Sequence, residues 1–504
     1  MNFSKSKYTT TWQCPKAVWM KKYMPEKAVI EEGTLKRMSS GNEVGDYAMG
    51  LFGKYVEVTV YNGDKIDLSA MIQRTKEELA NGTENICEAS FEYDGLYCAV
   101  DILRKMPGGY AIYEVKSSTT SSDSESQDPK EVYVADVAYQ KYVLEHCGIK
   151  VTDTYLVMLN KDYVFDGTLN PQELFVIVDI KDELVNEALI VEDNLKIAET
   201  LLSSQHEPNI DIDCRCKKPY PCAFWSYCTR NIPEHSVFDM YRMKFKDKIE
   251  YYKRGLVGYD DLINSGSIDH KIRLLQLCHV IQGKTTPTID KDEINSFLNT
   301  ISYPLYHLDF ETEQPVLPKY VGTHPYQQIP FQYSLHIEQA DGKLEHKEFL
   351  AESGPDPRRA IAESLVKNIP MDVCVMAYNK TFECTRLKEL ADAFPDLADH
   401  LLAIRDHIVD LLVPFQKGGY YVTEMEGSFS IKAVLPALFP NDPDLDYHAL
   451  DEVHNGSEAM EIFPRIKDMD PTDRDRARAN LLKYCCLDTL AMVKALSVLR
   501  DAVK

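Results

Sequence analysis

An excess of positive charge is what this chain lacks. Its 504 residues carry 56 Lys+Arg against 79 Asp+Glu, a formal net charge of −23. A protein held to nucleic acid by bulk electrostatics is basic. That mode is excluded, and any contact with nucleic acid must run through local basic patches and bound metal ions. Long apolar runs are missing too. No stretch of about 18 apolar residues occurs, so no membrane-spanning helix and no membrane partner are expected. The opening Met1-Asn-Phe-Ser-Lys has no apolar signal-peptide core, which points to a cytoplasmic protein. No repeat with a period of roughly 20–50 residues recurs, which sets solenoids aside. With 44% hydrophobic and 27% charged residues, the composition is globular and not fibrous or disordered. At roughly 100–200 residues per domain, the length accommodates several domains.

Cysteine is not scarce. Thirteen cysteines in a chain expected in the cytoplasm do not read as a disulfide framework. Four crowd one window, Cys214, Cys216, Cys222 and Cys228. Cys216, Cys222 and Cys228 are evenly spaced and need a fourth soft ligand. Cys14, in Trp12-Gln-Cys-Pro-Lys, is the candidate, with Cys214 as competitor. Four thiolates suit a zinc ion or an iron–sulfur cluster. Such a site would staple two distant segments together. Lysines gather near its first member. Lys5, Lys7, Lys16, Lys21 and Lys22 precede Glu26 with no acid among them. A second basic run is Arg242, Lys244, Lys246, Lys248, Lys253 and Arg254. Both runs read equally as solvated helix faces or phosphate contacts.

Apolar spacing suggests helices over 1–30 and 43–53, the second ending near Gly53. Strands are expected at 55–60, 91–101 and 110–116, then a polar mobile loop at 117–127. A helix at 131–147, strands at 154–159 and 174–179 and an acidic helix at 182–203 follow. Asp101 is expected to end its strand. After the Pro107-Gly-Gly turn, Glu114 and Lys116 share a strand face by alternation. Two carboxylates at one point bind Mg²⁺ or Mn²⁺, hard ions that prefer oxygen. A lysine beside them steadies an attacking water or developing charge.

Cys14, Asp101, Glu114-Val-Lys116, Cys216, Cys222 and Cys228 resemble, in that order, the RecB-like PD-(D/E)xK nucleases. The likeness is greatest to the CRISPR-associated RecB-like exonucleases that carry an iron–sulfur cluster. The resemblance implies a structural [4Fe-4S] cluster on Cys14, Cys216, Cys222 and Cys228, with zinc as the alternative. It implies a catalytic metal on Asp101 and Glu114, assisted by Lys116. It also implies a glutamine or tyrosine on the next helix, with Gln140 preferred over Tyr139 and Tyr142. An upstream acid completes the set, Glu43 being nearest.

The later half has its own acids. Asp309 and Glu311 end an apolar strand on one face, in Tyr306-His-Leu-Asp-Phe-Glu. A buried strand from Val373 leads into Asn379-Lys-Thr-Phe-Glu383. Tyr484 and Asp488 share a helix face at i, i+4. Four acids meeting from two strands and a helix suit two metal ions. The order and spacing resemble the DEDD exonucleases of the RNase H-like fold, in the tyrosine subtype. By that resemblance Asp309, Glu311, Glu383 and Asp488 are metal ligands and Tyr484 orients water. Glu383 departs from the usual Asp. Gly427-Ser-Phe-Ser-Ile-Lys resembles the helix start of such domains, with Ser428 or Ser430 as cap.

Together these motifs resemble a bacterial family that fuses a RecB-like, cysteine-cluster nuclease to an RNase H-like domain. The implied fold is α/β throughout. A PD-(D/E)xK restriction-endonuclease-like domain would span 1–234, a helical connector 235–300 and an RNase H-like mixed-sheet domain 301–504. The expected activity is metal-dependent phosphodiester hydrolysis, as a DNA exonuclease with two active sites in DNA processing, repair or phage defense. DNA ends or single strands are the expected partners. The alternative is a nucleic-acid-binding or scaffold protein with one or both sites inactive.

Overall fold

A computed structural model describes residues 3–30, 41–121, 130–447 and 450–504. It is mixed α/β and divides into two compact units. The first is Met1–Asn231 with Val316–Tyr326, and the second is Ile232–Pro315 with Gln327–Lys504. Residues 235–300 thus belong with the second unit instead of forming a separate connector. Residues 316–326 pack with the first, where Val316 and Leu317 join an apolar cluster around Val44, Tyr113 and Phe175. No described helix is long and apolar enough to cross a membrane.

The first unit opens with two helices, α1 (Lys5–Gln13) and α2 (Pro15–Tyr23), where the apolar spacing suggests one. Cys14 parts them with an extended backbone, φ −156°, and Pro15 starts the second helix where its missing N–H costs nothing. The strands are β1 (Asn85–Tyr93), β2 (Leu96–Met106) and β3 (Gly109–Thr120). After α3 (Glu131–His146) come β4 (Val151–Asn160), β5 (Phe175–Asp179) and α4 (Lys181–Ser203). The sheet order is Val56–Glu57, β1, β2, β3, β4, β5, with Phe3–Ser4 added beside β2. Strand β3 pairs antiparallel with β2 and parallel with β4, the return path being α3. The β2–β3 turn carries Gly108 at φ +87°. A Cβ on Gly109 would meet the Lys150 carbonyl at 2.4 Å, so a side chain is excluded there.

Several expectations shift at the edges. Residues 41–48 are helical and a short 3-10 turn, Met49–Phe52, stops at Gly53 with φ +82°. Of 55–60, only Val56–Glu57 pairs as strand. Strand β3 continues through Thr120, into the expected loop, because residues 119 and 120 still find partners on β4. The part of that loop at 122–129 lies outside the described residues. Helix α3 is buried on nearly every side, from Val132 to Gln140, since it packs against the sheet, α1 and α4 at once. Tyr8 of α1 stacks on Tyr139 of α3 at 4.9 Å.

The second unit has a five-stranded sheet. Its strands are β6 (Leu305–Glu313), β7 (Ile329–Glu338), β8 (Leu344–Leu350), β9 (Cys374–Ala377) and, after α5 (Thr381–Ala393), β10 (Ile408–Asp410). The order is β8-β7-β6-β9-β10. The first three strands run antiparallel, while β9 and β10 run parallel to β6. Helix α7 (Pro471–Val503) packs on β6 and β7, and α6 (Ile431–Leu438) packs on α7. Asp470 caps α7 by accepting from the N–H groups of Thr472 and Asp473.

Candidate functional site

Asp101 sits inside β2, which runs on to Met106 and so does not end at this acid. The β2–β3 ladder runs from Met106↔Gly109 to Ile102↔Tyr113 and goes no further. Beyond it the Asp101 carboxylate takes the place of a ladder carbonyl and accepts from the Val115 N–H at 2.7 Å. This opening lets Glu114 and Lys116 project together. Glu114 is 1% exposed. Its Oε1 accepts from Lys116 Nζ at 2.7 Å and Lys5 Nζ at 3.1 Å, and its Oε2 from Gln140 Nε2 at 2.7 Å. Gln140 and Asp136 lie one turn apart on α3. Asp136 accepts from Lys116 at 2.8 Å and from Gln140 at 3.2 Å.

Asp101, Glu114, Lys116 and Gln140 are therefore brought together. Sequence patterning passes over two further members. Asp136 had a signal, its i, i+4 spacing to Gln140. Lys5 had only its place in the acid-free N-terminal run. Its Nζ lies 3.5 Å from Asp101 and 3.1 Å from Glu114, bridging the two carboxylates. Burial opposes the charge on Lys5, but Asp101, Glu114 and Asp136 outweigh it and hold its pKa well above the ordinary value. Lys116 is raised in the same way, by Asp136 and Glu114 against burial. Glu88, between the paired Cys87↔Ile102 and Ala89↔Val100, has its carboxyl pushed up to about 7 by burial and then by Asp101.

Tyr139 and Tyr142 stand apart from this network. The Tyr139 hydroxyl donates to the carbonyls of Phe3 and Tyr97, and Tyr142 packs on His146 at 4.1 Å. Glu43 is exposed on the 41–48 helix, and none of its described bonds reaches Asp101 or Glu114. The donor chemistry of Asp101 and Glu114 fits a hard cation, and the ammonium between them marks where positive charge is stabilised. Gln140 Oε1 is buried without a partner, a further oxygen at this centre.

The cysteines converge from two ends of the first unit. Cys14, Cys216, Cys222 and Cys228 line one small cavity, with Met20, Ile212 and Phe224 among its walls. Cys214, the other candidate for the fourth position, does not line this cavity. Gln13 pins the window by donating to the carbonyls of Arg215 at 2.7 Å and Tyr220 at 2.8 Å. Burial pushes the Cys216 thiol up to about 12 and raises Cys222 and Cys228 as well. Thiols so protected ionise when a metal binds them. Lys16 and Lys21 lie close enough to offset the resulting charge.

The second acidic centre lies along β6, which runs on to Glu313 and so does not end at Asp309 and Glu311. Asp309, Glu311 and Cys485 can each bring a donor atom within 4.8 Å of the others. Asp488 comes from α7, and Glu383 from the first turn of α5. That helix follows Asn379, which takes a left-handed φ of 64° and donates its N–H to Asp410 at 2.9 Å. Asparagine tolerates that conformation better than most residues. Glu311, Glu383 and Asp488 are all under 9% exposed. Burial, then Asp488, Glu311 and Glu383, raise Asp309 well above the carboxylate range. Glu311 is raised by burial and Asp488, and Asp488 by burial. Burial pushes Glu383 up to about 8, and its Oε2 has no partner. Like charges crowded out of water with an orphaned oxygen fit a site for divalent cations.

Tyr484 shares the α7 face with Asp488, and two groups missed by sequence patterning complete the centre. Lys432 Nζ donates to the Tyr484 hydroxyl at 2.7 Å, and the Tyr447 hydroxyl donates to Asp488 at 2.6 Å. Neither had a signal of its own. Ser430 occupies the N-cap position of α6, but its side chain makes no capping bond, and Ser428 lies two residues outside it. The segment's contribution is to deliver Lys432.

Residues 306–430 match a family described as a domain of unknown function, DUF2779. The matched span holds Asp309, Glu311 and Glu383 and ends just before α6. A search of curated proteins gives no match.

Proposed function

We propose that the chain is a metal-dependent nuclease with two active sites, acting on DNA ends or single strands. On this reading the first unit is a RecB-like PD-(D/E)xK domain stapled by a [4Fe-4S] cluster, and the second an RNase H-like DEDD-type domain. The observation that carries the proposal is the crowding of three buried acids, Glu311, Glu383 and Asp488, about the partly buried Asp309, which is costly unless cations enter with substrate. Divalent ions bound at the two centres would polarise phosphate and acidify water.

The chain's own groups do the rest. At the first centre, Asp136 and Glu114 hold Lys116 extended, ready to stabilise charge on a phosphate oxygen. Gln140 fixes the Glu114 carboxylate. At the second, Tyr484 is aimed by Lys432 and lies beside Asp488, placed to orient a water. The net negative surface favours contact limited to these centres and to the lysine-rich start of the chain.

The test is digestion of end-labelled single- and double-stranded DNA and RNA with Mg²⁺ or Mn²⁺. Lys116→Ala and Asp309→Ala are expected to abolish different activities, each falling by roughly 10²–10⁴-fold. Full activity in both variants would overturn the proposal. One observation favours the second reading, a nucleic-acid-binding scaffold with a silent site: Lys5 already bridges Asp101 and Glu114. In that case wild-type protein binds DNA and leaves every substrate intact.

A further inference from the structure

The face of the second sheet that carries Asp309 also carries an unrelated group of donors. His336 on β7 and His346 on β8 are direct cross-strand partners. Their rings lie 4.5 Å apart. Cys486 on α7 comes down beside them, and the three residues can each place one donor atom within 4.8 Å of the others. Cys485, its neighbour, turns the other way, with its Sγ 3.9 Å from Asp309 Oδ2. The two groups are therefore distinct, although they share one helix.

Hydroxyl groups fix which nitrogens are free. His346 Nε2 lies 3.0 Å from Ser334 Oγ, and His336 Nδ1 lies 2.8 Å from Thr489 Oγ1. Ser334 Oγ and Thr489 Oγ1 are 2.6 Å apart, and Thr489 donates to the Cys486 carbonyl at 3.1 Å. One run of protons satisfies every member. His346 Nε2–H donates to Ser334, Ser334 and His336 Nδ1–H donate to Thr489, and Thr489 donates to the carbonyl. This leaves His336 Nε2 and His346 Nδ1 with free lone pairs. Metal-bound histidines almost always have the other nitrogen held by a partner in this way. Glu348, two residues after His346 on the exposed strand β8, is close enough to act electrostatically on both His346 and Cys486. It is the natural fourth donor. Two neutral imidazoles, one thiolate and one carboxylate would balance a divalent ion of borderline softness.

We infer that His336, His346 and Cys486, with Glu348, form a binding site for Zn²⁺ or a similar transition-metal ion that pins α7 to the β7–β8 hairpin. The site is independent of the nuclease proposal, since it uses none of the nuclease residues.

Cobalt(II) titration of the full-length protein tests it, with the iron and zinc content measured beforehand. Wild type is expected to bind one more tight equivalent than His346→Gln, with a sulfur-to-cobalt charge-transfer band that Cys486→Ser abolishes. Thr489→Val, which keeps every ligand, is expected to weaken that equivalent by roughly 10–100-fold. Metal held at Cys14, Cys216, Cys222 and Cys228 should be the same in all variants, which reports that the chain is folded. An unchanged cobalt count in His346→Gln, a change on an exposed strand, overturns the inference.

Discussion

Lys5 is the residue whose role is least visible in its own neighbourhood. It lies 96 and 109 positions from the two carboxylates it bridges. A divalent ion held by Asp101 and Glu114 would have to displace it. Lys5→Met should therefore tighten Mn²⁺ binding at the first centre, by up to about tenfold, read by the signal of free Mn²⁺ in a titration. Weaker binding would show that Lys5 assists the ion instead of competing with it. At the second centre, Lys432→Met leaves the Tyr484 hydroxyl without its charged donor. The variant should lose the activity assigned to Asp309 and retain the one assigned to Lys116. Equal loss of both activities would count against that placement.

Among the elements, the break between α1 and α2 matters most. It turns Cys14 toward the cysteine window, and Gln13 anchors the turn with two bonds to backbone carbonyls. Gln13→Ala should cost about 1 kcal/mol of stability, since these bonds are partly open to water. It should also raise protease sensitivity between Ile210 and Cys228, measured by limited digestion. A second element-level test concerns the helix Lys271–Ile281 and the small sheet of Thr288–Ile289 with Tyr420–Tyr421. His279 joins them, bonded to Thr288 at 2.8 Å and Thr423 at 3.1 Å. Burial, and then Lys284, lower its pKa below the ordinary 6.5. As pH falls through 6.5, the unfolded chain takes up the proton before the folded one does. Stability is then lost toward acid and levels off below the folded pKa. His279→Gln should flatten that limb in denaturant melts. An unaltered slope between about pH 7.5 and 5.5, one unit either side of the free imidazole, would refute the assignment.

At the scale of the whole molecule, the negative charge has a partial explanation. Most acids at the two centres (Glu114, Asp136, Glu311, Glu383 and Asp488) are buried, so they repel a nucleic acid less than surface charge would. Binding of DNA should accordingly be weak with chelator present and strengthen on adding Mg²⁺ or Mn²⁺, as read by filter binding with the Lys116→Ala, Tyr484→Phe double variant, which keeps every acid of both centres. Tight binding without divalent ions would contradict this. The organisation of the chain was only partly legible beforehand. Its α/β class followed from strand and helix signals that are local. The return of residues 316–326 to the first unit did not, because Val316 and Leu317 meet apolar partners that lie far away in sequence.

What depends on local geometry was legible in the order of residues alone. Strand alternation set Glu114 and Lys116 on one face, and helical spacing did the same for Tyr484 and Asp488. The spacing of Cys216, Cys222 and Cys228 marked three of the four cysteines in the group. Tertiary structure alone decided which distant groups complete each centre. It set Cys14 on one cavity with Cys216, Cys222 and Cys228, put Lys5 between two carboxylates, aimed Lys432 at Tyr484 and stood His336, His346 and Cys486 together. The physical reason is that a side chain's charge and hydrogen-bond partners are fixed by what packing brings within a few ångströms. Neither the alternation of a strand nor the turn of a helix carries that information across a hundred residues of chain.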